Sequence, residues 1–549
     1  MIQTVNNYSQ TVKQLVDDIK AICAHNGLGG EASEYKIVTQ MFLYKFLNDK
    51  FLFVTQKNYA HLKALPEAEY NLLLRLVGTK AAKMKPQHLL EHLHSLQDKS
   101  DFAETFDDVL NDIAVFNSGI YSVHTDVNTE IRLFDEKLIQ SSVADQSKRN
   151  DFSKSILGKL LLVKFDDEIF AQSFDFFSTL FEYMIKDYNK DGGGKYAEYY
   201  TPHTVAKIMA EILVGDDKSG NKTVYDPSAG SGTLLMNIAS KIGTDRCTIY
   251  SQDISQKSSN LLRLNLILNN LSHSINNIVQ GNTILHSRHT KKMDYIVSNP
   301  PFKLDFSEWR NEVETLPNSQ TRFFAGVPNI PNKDTDKMAI YLLFLQHIIY
   351  SLNENGKAAV VVPTGFVTGG VPKVNKKGKG GKGGIDYNIR KLLVDNKWLK
   401  GVVSMPSNIF ATTGTNVSVL LIDKANIGKV VLVDASKLGE KRNDDGTQKT
   451  YLSSNDEQQI IDAFTTREPK DDFSVVLDYD QIKTKNYSLA AGQYFEIKIA
   501  YSEMTEDEFQ AKMEKSKKTL TDYFAKSKTL ETEILASLNN LHFNGGNNE

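Results

Sequence analysis

The sequence predicts an α/β protein: a doubly wound, mostly parallel sheet, preceded by an all-α N-terminal domain and followed by one long C-terminal helix. Three observations lead there. Residues 8–180 return apolar side chains every three or four positions, as in TVKQLVDDIKAICAH, EYKIVTQMFLYKFLNDKFLF and FDFFSTLFEYMIKDY, which is the period of a helix with one buried face. From about residue 196, short β-rich runs alternate with helical runs, the pattern of strands joined by crossover helices. From Ser502 to Phe543 there is neither proline nor glycine. Proline sharpens the first boundary, since only Pro66 and Pro86 precede position 202. The expected division is 1–190 for the helical domain, 191–498 for the sheet domain and 499–549 for the terminal helix. The first break falls in DYNKDGGGKY at 187–196.

Composition excludes several function classes. A chain of 549 residues has room for roughly two to four domains and an enzyme-sized core. The two cysteines, Cys23 and Cys247, cannot form a metal quartet, so no metal is expected, and their scarcity fits a reducing, cytoplasmic setting. No run approaches 18 apolar residues, so no membrane span is expected. Net charge is −3, from 64 basic and 67 acidic side chains. A protein that grips nucleic acid unaided carries a basic excess. If this chain touches DNA, another subunit supplies much of the phosphate contact.

The sheet domain reads in order as KTVYD, then helical TLLMNIASKI; CTIYSQ, then QKSSNLLRLNLILNNL; INNIVQ; MDYIVSN; and a long helix from about Asp336 to Leu352. KAAVVVP, helical IDYNIRKLLVDN, LKGVVSMP and NVSVLLIDK follow. Sheets of this kind bind ligands beyond the carboxyl ends of their strands. KVNKKGKGGKGG at 373–384 interrupts the second half and reads as a loop, either a clamp on DNA phosphates or a solvated insertion. In the terminal helix, Thr505 with Glu508 makes a capping-box start. Phe509, Met513, Leu520, Phe524, Leu530, Ile534, Leu538 and Leu541 form one apolar stripe. At 1.5 Å per residue it spans on the order of 60 Å. Such a stripe calls for another chain, as a coiled coil or bundle, or for the chain's own N-terminal domain.

The first half of a site lies at 223–235, TVYDPSAGSGTLL. A strand ends at Asp226. A turn through Pro227, Ser228, Gly230, Ser231 and Gly232 follows, and a helix opens. Glycine lets a ligand approach the backbone, and the helix start offers free N–H groups to a carboxylate. Asp226 can pair with an ammonium. A carboxylate beside an ammonium is the amino-acid end of S-adenosylmethionine. The next strand ends in Asp253, followed by Ile254; an acidic residue about 20 residues beyond the glycine turn is where a nucleoside ribose is held. The third strand leads to Asn282, whose amide oxygen can accept the hydrogen bond of an adenine amine.

The second half is Ser-Asn-Pro-Pro-Phe at 298–302. Two prolines end the strand, because they cannot continue a ladder, yet their carbonyls remain acceptors. The Asn299 side chain and the Pro300 backbone offer two acceptors at rigid spacing to a planar amino group. Pro301 completes the turn, and Phe302 is placed to stack on the ring that carries the amine. Two acceptors holding both N–H bonds free the nitrogen lone pair for the sulfonium methyl. Asn299 is neutral, so the proton leaves after transfer, and catalysis rests on positioning and preorganised dipoles. A target base in duplex DNA must be flipped out to reach such a site.

DPSAGSGT and NPPF, in that order, are similar to the cofactor and catalytic motifs of amino-group DNA methyltransferases of the N6-adenine type. More narrowly, the chain resembles the modification (M) subunit of type I restriction–modification systems. EYYTP, with Tyr199, Tyr200, Thr201 and Pro202, resembles the family segment that helps hold the cofactor's methionine end. PSNIFATTGTN (406–416) and NYSLAAGQYF (486–495) also look like M-subunit segments. The resemblance implies a Rossmann-like S-adenosylmethionine-dependent fold. It also implies adenine rather than cytosine as target, and a complex of two M chains with one specificity (S) subunit, joined by motor–nuclease (R) subunits on double-stranded DNA. This sequence departs from the family at Asn282, where an acidic residue is usual. Two other readings stay open: a methyltransferase acting on RNA or on a protein glutamine, whose families share Asn-Pro-Pro-aromatic, and a catalytically silent DNA-binding assembly subunit.

Overall fold

The computed structural model describes residues 2–30, 32–170, 183, 201–217, 219–372, 381–410, 416–444, 447–496 and 504–539. They fall into two units, Met1–Phe495 and Glu496–Glu549.

The first unit is built on an eleven-stranded sheet. Its strands are β1 (Val123–Thr125), β2 (Glu130–Ile131), β3 (Lys222–Asp226), β4 (Cys247–Asp253), β5 (Ile278–Gln280), β6 (Met293–Ser298), β7 (Leu352–Pro363), β8 (Leu399–Ser404), β9 (Val417–Asp423) and β10 (Val430–Asp434). After a separate hairpin of β11 (Glu440–Asp444) and β12 (Thr447–Tyr451), β13 (Ser474–Leu477) completes it. The spatial order is β13-β10-β8-β9-β7-β6-β3-β4-β5-β1-β2. From β7 through β1 every neighbouring pair is parallel. β9 runs antiparallel between β7 and β8.

Both faces of the sheet are covered, and the strands show why. In β7, Ala359 and Val361 pack into one core while Ala358, Val360 and Val362 pack into the other; in β9, Val419 and Leu421 oppose Leu420 and Ile422 in the same way. Successive strand side chains point to opposite faces, so a near-continuous apolar run marks a strand buried on both. The helices His203–Val214, Thr233–Ile242 and Gln256–Leu268 pack into the first core, with the N-terminal helices. The helices Tyr341–Ser351 and Ile385–Asp395 pack into the second.

β4 and β5 lie on one side of β3, β6 and β7 on the other. The strand order therefore reverses between β3 and β6, which opens a crevice at their carboxyl ends. The β3–β6 ladder is short, pairing only Val224 with Tyr295 and Tyr225 with Ile296. The two strands carrying the sequence motifs thus part at their tips.

Two expectations are amended. The helical N-terminal region also lends β1 and β2 to the sheet edge. Arg263 of the helix Gln256–Leu268 holds them there: its guanidinium, almost fully buried, donates to the carbonyls of Tyr121, Ile131 and Leu133. The long helix expected from Asp336 begins at Tyr341, because Met338 is extended and its carbonyl accepts from the Leu304 N–H at 3.1 Å. That helix ends at Ser351, and Leu352 already starts β7. The Gly/Lys stretch lies mostly outside the described residues; its base is closed by the Gly384 N–H donating to the Gly370 carbonyl at 2.8 Å.

In the second unit, one helix runs Glu506–Asn539, about 50 Å at 1.5 Å per residue. Its capping box forms as expected: the Thr505 N–H donates to the Glu508 carboxylate at 3.0 Å, and the Glu508 N–H to the Thr505 hydroxyl at 3.4 Å. The stripe from Phe509 to Leu538 is exposed; Leu541 lies outside the described residues. Among the described residues, no helix is long and apolar enough to cross a membrane.

Candidate active site

β3 delivers Asp226 to the carboxyl edge, where the side chain is 1% exposed. One oxygen, Oδ1, accepts from the Ser228 N–H and from the Ser298 hydroxyl, both at 2.9 Å. Burial pushes the carboxyl up to about 7, against the hydrogen bonds from Ser228 and Ser298; the nearby charge of Asp253 adds to the rise. The other oxygen, Oδ2, has no partner among the described residues. Asp226 lines the cleft, where that oxygen can accept a charge-assisted hydrogen bond from a cationic group.

Beyond Asp226 the chain turns through Gly230 and Gly232, both at positive φ, 52° and 85°. Gly232 heads the helix Thr233–Ile242, and a Cβ there would meet the Leu262 side chain at 2.2 Å. Glycine is therefore required twice over, by conformation and by the close approach of the neighbouring helix. The turn brings free helix-start N–H groups to the crevice.

Asp253 ends β4 and braces this turn. Its Oδ2 accepts from the Gly230 N–H and its Oδ1 from the Ser255 N–H, each at 2.9 Å. Burial raises its carboxyl. A carboxylate has about four acceptor positions, so two remain for other donors. Ile254, next in sequence, is 65% exposed and offers an apolar surface beside them.

Asn282 stands on the turn after β5, and its carboxamide oxygen is committed. It accepts from the Ile284 N–H at 3.0 Å and the Leu285 N–H at 3.3 Å. Two backbone donors fix which end of the amide is oxygen. The group left to meet a ligand is the NH2, a donor, rather than the acceptor expected from the sequence. The turn is tied to the Asp226 loop by the Thr283 hydroxyl, which donates to the Pro227 carbonyl at 2.7 Å.

β6 delivers Asn299, buried with 9% exposure, to the same crevice. One cleft is lined by Asn299, Asp226, Ser228, Ala229, Ser231, Thr233 and Leu234, together with Thr201 from the segment before β3. The Asn299 carboxamide forms no hydrogen bond among the described residues. Pro300 is buried, and Pro301 and Phe302 are half-buried. The Phe302 ring meets Tyr341 edge-on at 6.2 Å, and Tyr341 meets Phe366 likewise at 6.3 Å. Pro202 leads into the helix His203–Val214; Tyr199 and Tyr200 lie outside the described residues.

The structure thus gathers Asn299, Asp226, Ser228, Ser231 and Thr201 around one cleft and braces it with Gly230, Gly232 and Asp253. The residues fit the amino-acid end of S-adenosylmethionine: an open carboxylate oxygen for an ammonium, and a glycine-headed helix start for a carboxylate.

Two participants escaped the sequence reading. Ser298 lies one residue before Asn299 and bonds across to Asp226. Arg322, 1% exposed, donates through Nε to His347 Nδ1 at 2.9 Å, and through its terminal nitrogens to the carbonyls of Ile284 and Thr283 at 2.7 and 2.6 Å. Arginine only donates, so His347 Nδ1 is bare and its Nε2 carries the proton facing the Tyr225 hydroxyl at 3.1 Å. Burial, then the Arg322 charge, hold the His347 pKa well below the usual range, consistent with a neutral ring. This network fixes the Asn282 turn from beneath.

Residues 172–503 match the family model described as N-6 DNA Methylase. The methylase subunit of the type I restriction enzyme MpnII from Mycoplasma pneumoniae is 26% identical over 449 residues, covering 74% of this chain and 76% of that protein. The type I HindI methylase subunit of Haemophilus influenzae is 25% identical over 384 residues, covering 67% of this chain and 79% of the relative. Among solved structures, the type I restriction–modification methyltransferase subunit from Streptococcus thermophilus superposes with a TM-score of 0.67 at 21% identity, covering 89% of this chain and all of the other. That likeness shows a shared fold.

Proposed function

The chain belongs to the N-6 DNA methylase family, and from that premise we propose that it is a type I modification subunit that methylates N6 of a flipped adenine in double-stranded DNA, using S-adenosylmethionine. The observation that carries this reading is the single cleft holding the Asn299 carboxamide beside Asp226 and the glycine turn.

When bound, S-adenosylmethionine supplies an electrophilic methyl carbon. The chain's own residues do the rest. Asp226 Oδ2 receives the ammonium of the amino-acid end, and the N–H groups at the start of Thr233–Ile242 receive its carboxylate. Asp253 accepts from the ribose, and Asn282 donates to the purine. At the other end, the Asn299 side chain and the Pro300 carbonyl accept the two N–H bonds of the target amine. Phe302 stacks on the everted base, worth about 1–3 kcal/mol. This offsets part of the few kcal/mol of unstacking. Asn299 holds the amine without deprotonating it; the proton departs from the methylated, cationic nitrogen.

The domain division stays part of this proposal: 1–190 as helical domain, 191–498 as methyltransferase, 499–549 as docking helix. An exposed apolar stripe on a capped helix fits a partner subunit. We assign that role to the S subunit, with a second M chain and R subunits completing the complex. Deleting residues 503–549 is expected to abolish assembly and leave the methyltransferase folded; an assembled, sequence-specific complex from that truncation contradicts the docking role.

The test of function is transfer of labelled methyl from the assembled complex to duplex DNA, RNA and protein, with the product nucleoside identified by mass spectrometry. N6-methyladenine in duplex DNA is expected. Label confined to RNA or to a protein glutamine contradicts the proposal.

A further inference from the structure

The two strands that carry the site part at the crevice. Their backbone ladder ends at Tyr225 and Ile296, so no main-chain pairing fixes Asp226 relative to Asn299. A chain of hydroxyls spans that gap. The Ser298 hydroxyl donates to Asp226 Oδ1 at 2.9 Å. With that proton committed, the Ser228 hydroxyl is the donor in the 2.7 Å contact between the two serines. The Ser228 N–H adds a third bond, to the same Asp226 oxygen. Ser298 is fully buried, so water does not compete for its bond to Asp226. Its position is decisive: it is the last residue of β6, peptide-bonded to Asn299.

We propose that Ser298 is a positioning residue that sets the distance between the cofactor end and the target-amine end of the cleft. This deepens the function proposed above and rests on it. Methyl transfer needs nitrogen, carbon and sulfur in line, and a misplacement of about 1 Å costs on the order of 100-fold in rate. Asp226 anchors one reactant and Asn299 the other. Ser298 is the direct side-chain link between the strand tips that bear them. The same bond also stabilises the ionised form of Asp226, opposing burial and the charge of Asp253, the other titratable group facing it. Removing the hydroxyl therefore leaves two marks: a misaligned transfer step, and an Asp226 that takes up its proton at higher pH.

The test uses the chain in its assembled complex, unmodified genomic DNA as methyl acceptor and S-adenosylhomocysteine as binding probe. Ser298→Ala is expected to lower the single-turnover rate about 10- to 100-fold at saturating cofactor, while probe affinity at pH 7.5 stays within about threefold. The acid limb of probe binding moves to higher pH. A wild-type rate in Ser298→Ala, or a loss that saturating cofactor abolishes, overturns the proposal. If Ser298→Ala does not fold, Ser228→Ala, which removes the outer donor of the chain, carries the test: a slower rate at saturation supports the role, an unchanged one overturns it. A wild-type complex that neither binds the probe nor methylates DNA sinks the proposed function itself; an active wild type with an unaffected Ser298→Ala sinks this inference alone.

Discussion

The two halves of the cleft are built differently. On the cofactor side, the polar groups are largely bonded to one another before any ligand arrives. Asp226 spends one oxygen on Ser228 and Ser298, Asp253 spends both on Gly230 and Ser255, and Asn282 spends its oxygen on two N–H groups. On the target side, the Asn299 carboxamide has no partner among the described residues, and Phe302 is touched edge-on, with its ring half-buried. The first half is a preformed mould, each member keeping some acceptor or donor capacity for the ligand proposed there. The second is a pair of open acceptors, which the proposed function assigns to an everted base. A cofactor present in every turnover favours preorganisation, whereas a base that must be flipped is selected by bonds left unmade when the wrong one enters.

The sharpest break of this comparison is Asn299→Ala. It is expected to cut methyl transfer on the order of 10²–10³-fold or more while cofactor binding survives, measured by label incorporation beside probe titration. Equal loss of both erases the division between the halves. Next is Asp226→Asn, expected to weaken cofactor affinity about 10- to 100-fold through loss of a charge-assisted bond.

The pH profile carries the sign. Asp226, raised to about 7 in the free site, must be ionised to hold an ammonium. Wild-type affinity therefore falls about tenfold per pH unit below that value and levels above it, until the ligand's own α-amino group loses its proton near about 8. In Asp226→Asn the acid limb is expected to vanish, which titration calorimetry across pH 5.5–8 checks. A smaller effect belongs to Phe302→Leu, which keeps bulk but loses the stacking face; about 1 kcal/mol, roughly a fivefold rise in KM for DNA, is expected with cofactor affinity unchanged. The smallest is Asn282→Asp. The carboxylate keeps the cap on Ile284 and Leu285 but lacks the NH2 that donates to the purine, so a loss of about 0.5–1.5 kcal/mol in probe affinity is expected. A gain instead means that an acceptor, not the NH2 of Asn282, is what the purine needs there.

Much of this was legible in the sequence because the physics was local. Strands buried on both faces read as apolar runs, and β3 through β9 overlap KTVYD, CTIYSQ, INNIVQ, MDYIVSN, KAAVVVP, LKGVVSMP and NVSVLLIDK, although β5 keeps only Ile278–Gln280, after a 3-10 turn, and β7 starts earlier, at Leu352. Glycines at 230 and 232, the Asp253 strand end and the Asn-Pro-Pro-Phe stop are likewise short-range signals. What escaped was long-range. β1 and β2 are three and two residues long, too short for any period, and are strands only because β5 offers an edge. Ser298 looks like any polar residue ending a strand; its part arises because β3 and β6 diverge there. Arg322 lies far along the chain from both Thr283 and His347. Residue type alone leaves Asn282 looking like a free acceptor, because its cap on the following turn depends on backbone geometry that residue type does not encode.

The most direct measurement is a structure of the assembled complex with S-adenosylhomocysteine and its DNA. The account predicts the target amine nitrogen within about 2.6–3.2 Å of both the Asn299 Oδ1 and the Pro300 carbonyl, with the ligand's ammonium on Asp226. An everted base held elsewhere, or Asn299 turned away from it while the ligand sits on the glycine turn, would contradict it.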